Sequence, residues 1–391
     1  MDTADWAASG LAALTGPPDG PPDGSRAAVL TRAREVAASV RAACGVSVDA
    51  AELLSGRAAM LGLTRRGRIS AGGATRLLRA ADGWFALTLS RPDDIATIPA
   101  LLEADDIAEP WGAITRWAPE HEAAAIVERA RLLGLPAGEL GETASAPTVV
   151  RQLGVRRAHR GYAGLLVVDL SSMWAGPLCG QLLARAGATV VKVESRGRPD
   201  GTRAGDSRFF DWMNHGKLCY AVDFEHPAEL RELLAQADVV IESSRPAALA
   251  RRGLGPAQTP ARGGRVWARI SGHGGHGDAA DWVGFGDDAA VSGGLVGIGP
   301  VFCGDAIADP LTGLQAAAEV TAALARGGGE LLELSLAAVA ANYAELPTTD
   351  AELTAPATPP APPPAGPRAG DLGADNARVA ELIRARSAAA C

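Results

Sequence analysis

The sequence predicts an α/β fold built on a doubly wound parallel sheet, and two neighbouring patterns within residues 161–345 indicate it. The run LLVVDL at 165–170 is short and apolar, which is typical of a buried strand. The run AGPLCGQLLARAG follows as a helix, with Pro177 suited to its first turn and Gly187 to its end. TVVKVE at 189–194 is a second strand, and such a strand–helix–strand unit joins parallel neighbours in one sheet.

The same alternation continues along the chain. A helix at 227–236 precedes strands at 238–243 and 266–271, which extends the predicted sheet. Upstream, residues 26–43 place apolar side chains at helical spacing, and GWFALTLS at 83–90 resembles a strand. We therefore expect a smaller α+β domain beside the parallel sheet.

Composition narrows the class of protein. The chain has 391 residues, 47% of them hydrophobic and 21% charged, which is enough for a large buried core. A net charge of −8 argues against binding nucleic acid, and no run approaches 18 uninterrupted apolar residues, so a membrane span is not expected. The five cysteines are odd in number and never spaced as CxxC, which argues against a disulfide framework or a zinc site and favours the cytoplasm. They are Cys44, Cys179, Cys219, Cys303 and Cys391.

Changes in composition divide the chain into four parts. We expect a turn-rich segment at 1–24, a small domain at 25–160, the parallel-sheet domain at 161–345, and a Pro-rich linker with a C-terminal helix at 346–391. The acidic N-terminus lacks a long apolar core, so a signal peptide is not expected.

The turn after the first predicted strand, SSMWAGPLCG, is a candidate anion site, because a helix N-terminus offers free N–H groups. The glycine fingerprint GxGxxG is missing, although Glu194 lies where a ribose-binding acid would be. Ordinary turn chemistry explains the sequence equally well. Lys217 and Arg251 are further candidates for phosphate contacts. The alternatives are a solvated loop lysine for Lys217 and a surface salt bridge for Arg251.

The Gly-rich loop at 271–294 permits close approach of backbone to a ligand, or is an ordinary loop. His273 and His276, with Asp278 nearby, suggest a metal site. Their spacing lies in a loop and not on a helix, so we expect no metal.

Asp309 is the most informative acid. An Asp followed by Pro and an apolar run is typical of a helix N-cap with Pro at the first helical position. The same carboxylate at a loop–helix junction also suits a nucleophile or base. Neither GxSxG nor the phosphate loop GxxxxGK[ST] is present.

Several stretches in a fixed order resemble the class III CoA-transferases, the CaiB/BaiF family, which also contains α-methylacyl-CoA racemases. They are VVDLSSMWAGPLCGQLLARAGATVVKVESRGRPDGTR, FFDWMNHGKLCYAVDF, ADVVIESSRPAALARRGLG, ISGHGGHG and GDAIADPLTGLQAA.

The resemblance implies a Rossmann-like CoA-binding domain, an interlocked homodimer, and an acyl-CoA:carboxylate CoA-transferase. Asp309 would be its catalytic nucleophile, passing through an anhydride and then an aspartyl-CoA thioester. Coenzyme A, as acyl-CoA, and a carboxylic acid acceptor would be substrates, with no tightly bound cofactor. By position, Met173, Trp174 and Ala175 would line the CoA site, and Lys217, Ser243, Ser244 and Arg251 would flank the adenine and phosphates.

Two alternatives to the transferase stay open: an acyl-CoA racemase or epimerase, and a non-catalytic relative that binds CoA esters. The racemases pair the aspartate with a His near the Gly-rich loop, where this sequence has Gly284 or Phe285. The transferase is therefore favoured, although His273 or His276 would be available to move in.

The order of the segments departs from the family pattern. Stretches near 81–94 and 128–142 resemble the small domain that usually follows the catalytic aspartate, yet they come first here. Residues 6–22 likewise resemble a segment that normally lies just upstream of that aspartate. The chain thus resembles a circular permutation or a trimmed tandem fusion.

Overall fold

A predominantly parallel sheet lies at the centre of the structure, a computed structural model that describes residues 3–105, 107–158, 161–349, 352–353 and 355–390. The strands of this sheet and of two smaller ones are β1 (Thr75–Arg79), β2 (Trp84–Thr88), β3 (Ala137–Glu139), β4 (Val149–Gln152), β5 (Leu166–Leu170), β6 (Thr189–Ser195), β7 (Leu218–Val222), β8 (Val239–Glu242), β9 (Val266–Ser271), β10 (Val296–Gly297), β11 (Val301–Phe302) and β12 (Glu330–Ser335).

The helices surround these sheets. They are α1 (Thr3–Ala8), α2 (Ala27–Cys44), α3 (Ala50–Leu61), α4 (Pro92–Ala96), α5 (Ile98–Leu102), α6 (Pro110–Trp117), α7 (Ala123–Leu132), α8 (Ala175–Arg185), α9 (Ser207–Asn214), α10 (Ala228–Gln236), α11 (Pro246–Arg251), α12 (Gly286–Ser292), α13 (Ala308–Ala325), α14 (Leu336–Ala344) and α15 (Asn376–Ala390).

The central sheet, as far as the structure describes the chain, has seven strands in the order β4–β12–β9–β8–β5–β6–β7. Its neighbours from β12 to β7 run parallel, and β4 pairs antiparallel with β12 at one edge. On the central strand β5, Val168 lies beside Val191 on β6 and Val240 on β8. The large parallel sheet predicted from the sequence is therefore confirmed.

Both faces of the sheet are covered by helices, which explains why β5 is buried along its whole length. On one face, Val167 packs in a core with Leu178 of α8 and Leu311 of α13. On the other face, Val168 shares a core with Leu230 of α10 and Val379 of α15.

The C-terminal segment covers the edge strand β7. The Asn376 side chain bonds both the N–H and the C=O of Ala221, at 3.0 and 2.9 Å. Asp375 accepts a hydrogen bond from Cys219 N at 2.8 Å. These contacts satisfy backbone groups that an open sheet edge would leave exposed.

Residues 25–160 contribute to two separate cores. Leu30 of α2 and Leu54 of α3 pack with Leu311 in the core of the large sheet. By contrast, Phe85 of β2 and Ile126 of α7 belong to a core on the antiparallel sheet β1–β2–β3. The four-part division of the chain stays a prediction, and its boundary at residue 25 separates α1 from α2, two helices that share one core.

The thiols of Cys44, Cys179, Cys219 and Cys303 are free, and Cys391 lies outside the described residues. Among the helices that the structure describes, none is both long and apolar enough to cross a membrane.

Asp288 of α12 connects the core of the large sheet to the antiparallel sheet β1–β2–β3. Its fully buried carboxyl accepts hydrogen bonds from Thr88 Oγ1 of β2 at 2.8 Å and from Phe285 N at 3.1 Å. Burial raises the pKa of Asp288 to about 8. The carboxyl is therefore protonated at neutral pH in the folded protein.

We expect Asp288→Asn to make stability less dependent on pH. Between pH 4 and 8 the folded Asp288 keeps a proton that the unfolded chain has lost, so its contribution to stability falls as pH rises, by at most about 1.4 kcal/mol per pH unit. Denaturant unfolding at pH 5 and pH 8 measures this change. The exposed Asp93→Asn is the control, and an unchanged pH slope in Asp288→Asn would contradict the prediction.

Candidate functional site

The site begins where the strand order reverses. From β5 the chain builds β6 and β7 to one side, whereas β8, β9 and β12 extend the other side. Ligands of open α/β sheets bind in the crevice at the carboxyl ends of the strands at such a point. Here the turns after β5 and β8 meet, because Ser172 N donates to Ser243 Oγ at 3.2 Å.

The turn after β5 holds the residues predicted to line the CoA site. Met173 has a left-handed backbone (φ +73°), and its N–H donates to the Asp200 carboxylate at 3.2 Å. Its side chain is 40% exposed. Trp174 is buried edge-to-face against Phe209, and Ala175 begins α8. Ser243 is exposed across the crevice with the half-buried Ser244 beside it, so five of the predicted residues lie at the switch point.

The structure corrects the phosphate-binding role that the sequence analysis predicted for Lys217. Its ammonium is buried and bonds Asp169 Oδ2 at 2.9 Å, Pro177 O at 2.8 Å and Asn214 Oδ1 at 3.0 Å. Lysine has three donors, so none is left for a phosphate. The physical reason is Asp169, a carboxylate inside the buried strand β5 that requires a counter-charge.

Arg251 is the predicted cation that stays available to solvent. It ends α11, the short helix that follows β8, and its side chain is exposed. It therefore lies beyond the crevice at the same edge of the sheet.

Asp309 is the second residue of α13, which corrects the N-cap interpretation, since Ile307 precedes the helix as N-cap. Its Oδ2 accepts a hydrogen bond from Gly286 N at 3.1 Å. Gly286 begins α12, and a Cβ added there would overlap both Asp309 Oδ2 and Ala306 O. The Asp309 carboxylate thus lies directly against the backbone of residue 286, and any residue larger than glycine at that position would displace the carboxylate.

Two more aspartates surround Asp309 and form, with it, the carboxyl cluster of Asp287, Asp305 and Asp309. Asp287 Oδ1 accepts from the N–H of Ala306, whose backbone is left-handed (φ +43°). Asp305 is fully buried. The cluster therefore concentrates negative charge at the start of α13, where the helix dipole favours it.

Burial and mutual repulsion raise the pKa values in this cluster. Burial, followed by the charge of Asp287, raises the pKa of Asp309 to about 7, against the opposing effects of Arg57 and the Gly286 N–H. Burial and Asp305 raise the pKa of Asp287 to about 7. Burial also raises the pKa of Asp305, which Arg57 opposes. Two coupled carboxyls that titrate near neutral pH are typical of an active site.

Arg57 of α3 links the carboxyl cluster to the crevice. Its Nη1 lies 2.7 Å from both carboxylate oxygens of Asp305. Its guanidinium carbon lies 5.6 Å from the ring centroids of Trp174 and of Phe209. The switch-point turn and the carboxyl cluster therefore belong to one site.

A close helix crossing supports this arrangement. A Cβ added at Gly313 of α13 would lie 2.6 Å from Ala175 O, so α8 and α13 approach almost backbone to backbone. Helix α8 begins at this crossing, and α13 begins five residues before it.

The sequence analysis missed Arg57, Asp287 and Asp305. The last two had a signal, since both are acids within or beside the Gly-rich stretches that precede Asp309. Arg57 had none, because it is 248 residues from Asp305 in the chain.

The two histidines that were weighed as metal ligands, where we expected no metal, each lie beside a carboxyl group. His276 Nε2 lies 2.9 Å from Glu333 Oε2. His273 is buried, its Nε2 is 3.9 Å from Asp288 Oδ2, and burial lowers its pKa to about 4, which keeps it neutral. No group of three or more His, Cys, Asp or Glu side chains suited to a metal occurs in the described ranges. The Glu194 carboxylate, which the sequence analysis considered as a ribose contact, pairs instead with Arg203 at 2.7 Å.

Clefts also occur elsewhere in the described part of the chain. One, of about 620 Å³, runs between residues 17–25 and residues 352–353 and 355–357. Another, of about 320 Å³, lies near the amino ends of the parallel strands beside Arg262 and Arg386. Asp309 lines neither of these clefts.

Sequence comparisons find relatives of this chain. A family model described as CoA-transferase family III matches residues 162–376, more than half of the chain. The chain is 34% identical over 203 residues to a protein named acyl-CoA transferase from Fusarium pseudograminearum, over 44% of each protein. It is 31% identical over 202 residues to succinyl-CoA–D-citramalate CoA-transferase from Chloroflexus aurantiacus, over 46% of this chain and 50% of that protein.

Among solved structures, a CaiB/BaiF family protein from Brucella suis aligns at 30% identity and a TM-score of 0.42, over 47% of this chain and 55% of that chain. The chain spans about half the length of the curated relatives it matches. The matched segment contains the switch-point turn and Asp309, whereas Arg57 precedes it. The chain belongs to CoA-transferase family III, the CaiB/BaiF family.

Proposed function

We propose that the chain is an acyl-CoA:carboxylate CoA-transferase in which Asp309 is the covalent nucleophile. The observation that carries the proposal is the Asp309 carboxyl, which lies at the start of α13 against the Gly286 N–H. The family model described as CoA-transferase family III matches residues 162–376, the segment that contains it. The proposed substrates are an acyl-CoA and a carboxylic acid, without a tightly bound cofactor.

The first half of the proposed reaction transfers CoA to Asp309. An Asp309 oxygen attacks the thioester carbonyl of the acyl-CoA, and the C–S bond breaks to give a mixed anhydride and the CoA thiolate. The thiolate then attacks the Asp309 carbonyl of the anhydride. This step releases the donor carboxylate and leaves an aspartyl-CoA thioester.

The second half reverses these steps with another acid. The acceptor carboxylate attacks the aspartyl thioester and displaces the CoA thiolate, which forms a second anhydride. The thiolate attacks the acceptor acyl carbon, so the new acyl-CoA leaves and Asp309 returns as a carboxylate. The Gly286 N–H is positioned to stabilise negative charge that develops on an oxygen beside Asp309.

We propose the switch-point residues as the CoA site. Met173, Trp174 and Ala175 would line it, with Ser243 and Ser244 across the crevice and the exposed Arg251 near the phosphates. Lys217 would act indirectly, by neutralising Asp169 behind the turn. We also propose a homodimer and a cytoplasmic location, the latter supported by free thiols such as the buried Cys179 and Cys303.

The racemase alternative requires a base that faces Asp309. His273 is a candidate from the sequence, but it is buried beside Asp288, and burial lowers its pKa to about 4, which makes it a weak base. Wash-in of deuterium at the α-carbon of an acyl-CoA, without CoA exchange, would favour the racemase over the transferase.

We expect hydroxylamine to trap Asp309. Wild-type protein incubated with a panel of acyl-CoA esters and hydroxylamine should gain a hydroxamate at Asp309, because both the anhydride and the thioester activate this carboxyl. Peptide mass spectrometry locates the adduct. Asp309→Asn should show neither adduct nor exchange, whereas the exposed Asp281→Asn should retain both. Exchange by Asp309→Asn would overturn the proposal.

We expect the acylation step to lose rate about tenfold per pH unit below pH 7, because only ionised Asp309 attacks. Asp287→Asn removes a neighbouring negative charge and should lower the pKa of Asp309, moving the acidic limb down by roughly 0.5–1 pH unit. Hydroxamate formation measured against pH tests this shift, with Asp281→Asn as control. A shift towards higher pH would contradict the assignment.

We expect Gly286→Ala to slow exchange by about 10²–10³-fold, because the new methyl group displaces Asp309 and its N–H donor. Steady-state kinetics at fixed acyl-CoA measures the loss. Gly83→Ala is the matched control, since its Cβ would have an ordinary 3.9 Å contact with Ala123. Equal activity in both variants would remove Gly286 from the site.

A further inference from the structure

We propose that Arg57 binds the carboxylate of the acceptor acid, an inference that rests on the transferase activity proposed above. The acceptor carboxylate has to reach the Asp309 carbonyl beside Asp287 and Asp305. Negative charge there repels an incoming anion, and the repulsion is strong where water is excluded. Arg57 is the cation that opposes the pKa rise of all three aspartates, so its charge acts on this same region.

The hydrogen bonds of Arg57 leave one edge of its guanidinium free. Nη1 is occupied by the two oxygens of Asp305 at 2.7 Å. Nε and Nη2 donate to no acceptor among the residues that the structure describes. The side chain as a whole is 25% exposed. The Nε–Nη2 edge is one of the two forks with which arginine binds a carboxylate through two parallel hydrogen bonds.

Aromatic rings hold the guanidinium in place before any substrate arrives. Its carbon is 5.6 Å from the centroids of Trp174 and Phe209, which themselves pack edge-to-face at 5.2 Å. Cation–π contact and the Asp305 pair together restrict a side chain that would otherwise lose entropy on binding. A preformed fork therefore lies between the switch-point turn and the carboxyl cluster.

Arg57 comes from a part of the chain that the family model does not match. It lies on α3, outside the segment 162–376 that matches the family. The residues before the matched segment thus supply a substrate contact and not only packing.

Arg57→Lys separates this role from a general effect of charge. Lysine keeps the positive charge near Asp309 but has no planar fork, so acylation of Asp309 by acyl-CoA alone should change less than about threefold. The apparent KM for the acceptor acid should rise at least about tenfold, because a bidentate charged contact is lost. The apparent KM for acyl-CoA should stay unchanged. Arg185→Lys, which alters an exposed arginine bonded to Ser47 O, is the matched control.

The measurements are hydroxamate trapping without acceptor, acceptor and donor kinetics, and thermal melting of each variant. An unchanged acceptor KM with normal acylation would overturn the role of Arg57 and leave the transferase intact. Equal loss in both half-reactions would make Arg57 a positioning residue only. Absence of any adduct in the wild type would overturn the transferase, and this inference with it.

A second measurement covers the case in which Arg57→Lys does not fold. Phenylglyoxal modifies accessible arginines, and mass spectrometry of wild-type peptides reports the extent at Arg57. An acceptor acid should protect Arg57 and leave Arg185 modified, whereas its amide analogue should protect neither. Equal modification of Arg57 with and without the acid would overturn the proposal.

Discussion

Buried ion pairs behind the switch-point turn are the constraint on which the site depends. Asp169 pairs with Lys217 and Lys192 with Asp200, and all four side chains are completely buried. Lys192 also donates to the Ser171 carbonyl, and Asp200 accepts from Met173 N in the turn and from Thr202 N. Removal of one partner of such a pair costs roughly 3–5 kcal/mol, because it leaves an uncompensated charge in the interior. The pairs therefore hold the turn 171–174 in one shape.

That rigid turn matters because the carboxyl cluster is assembled from elements far apart in the chain. The close crossing of α8 and α13 at Gly313 sets the start of one helix beside the start of the other. Asp309 is then held by Gly286, and Arg57 connects its neighbour Asp305 to Trp174. The result is an Asp309 carboxyl with a pKa near 7, where the Gly286 N–H and the Arg57 guanidinium oppose the effects of burial and of the neighbouring acids.

The order of segments along the chain has a structural consequence. Helices α2 and α3 precede the matched family segment, yet they pack in the core of the parallel sheet with α8 and α13. These two helices therefore belong to the same packed unit as Asp309, and α3 places Arg57 beside Asp305.

Local patterns were sufficient for the large sheet and for several site residues. Strands at 165–170 and 189–194 were recognisable because strands buried on both faces are read as short runs rich in Val and Leu. Asp309 stood out because it opens an apolar helix after a Gly-rich stretch. The role of Lys217 was misjudged, since its sequence context resembles a solvated loop while its amine serves Asp169 across the sheet.

The sequence by itself determined the alternation of strands and helices, the turn at 171–175 and the position of Asp309, because each follows from neighbouring residues. Only the tertiary structure decided that Asp309 bonds Gly286 instead of capping its own helix, that Lys217 is fully occupied, and that Arg57 faces the aspartates. The reason is physical. The pKa values and ion pairs depend on which groups, distant in sequence, lie together in a poorly solvated interior, and the spacing of residues along the chain does not show which groups these are.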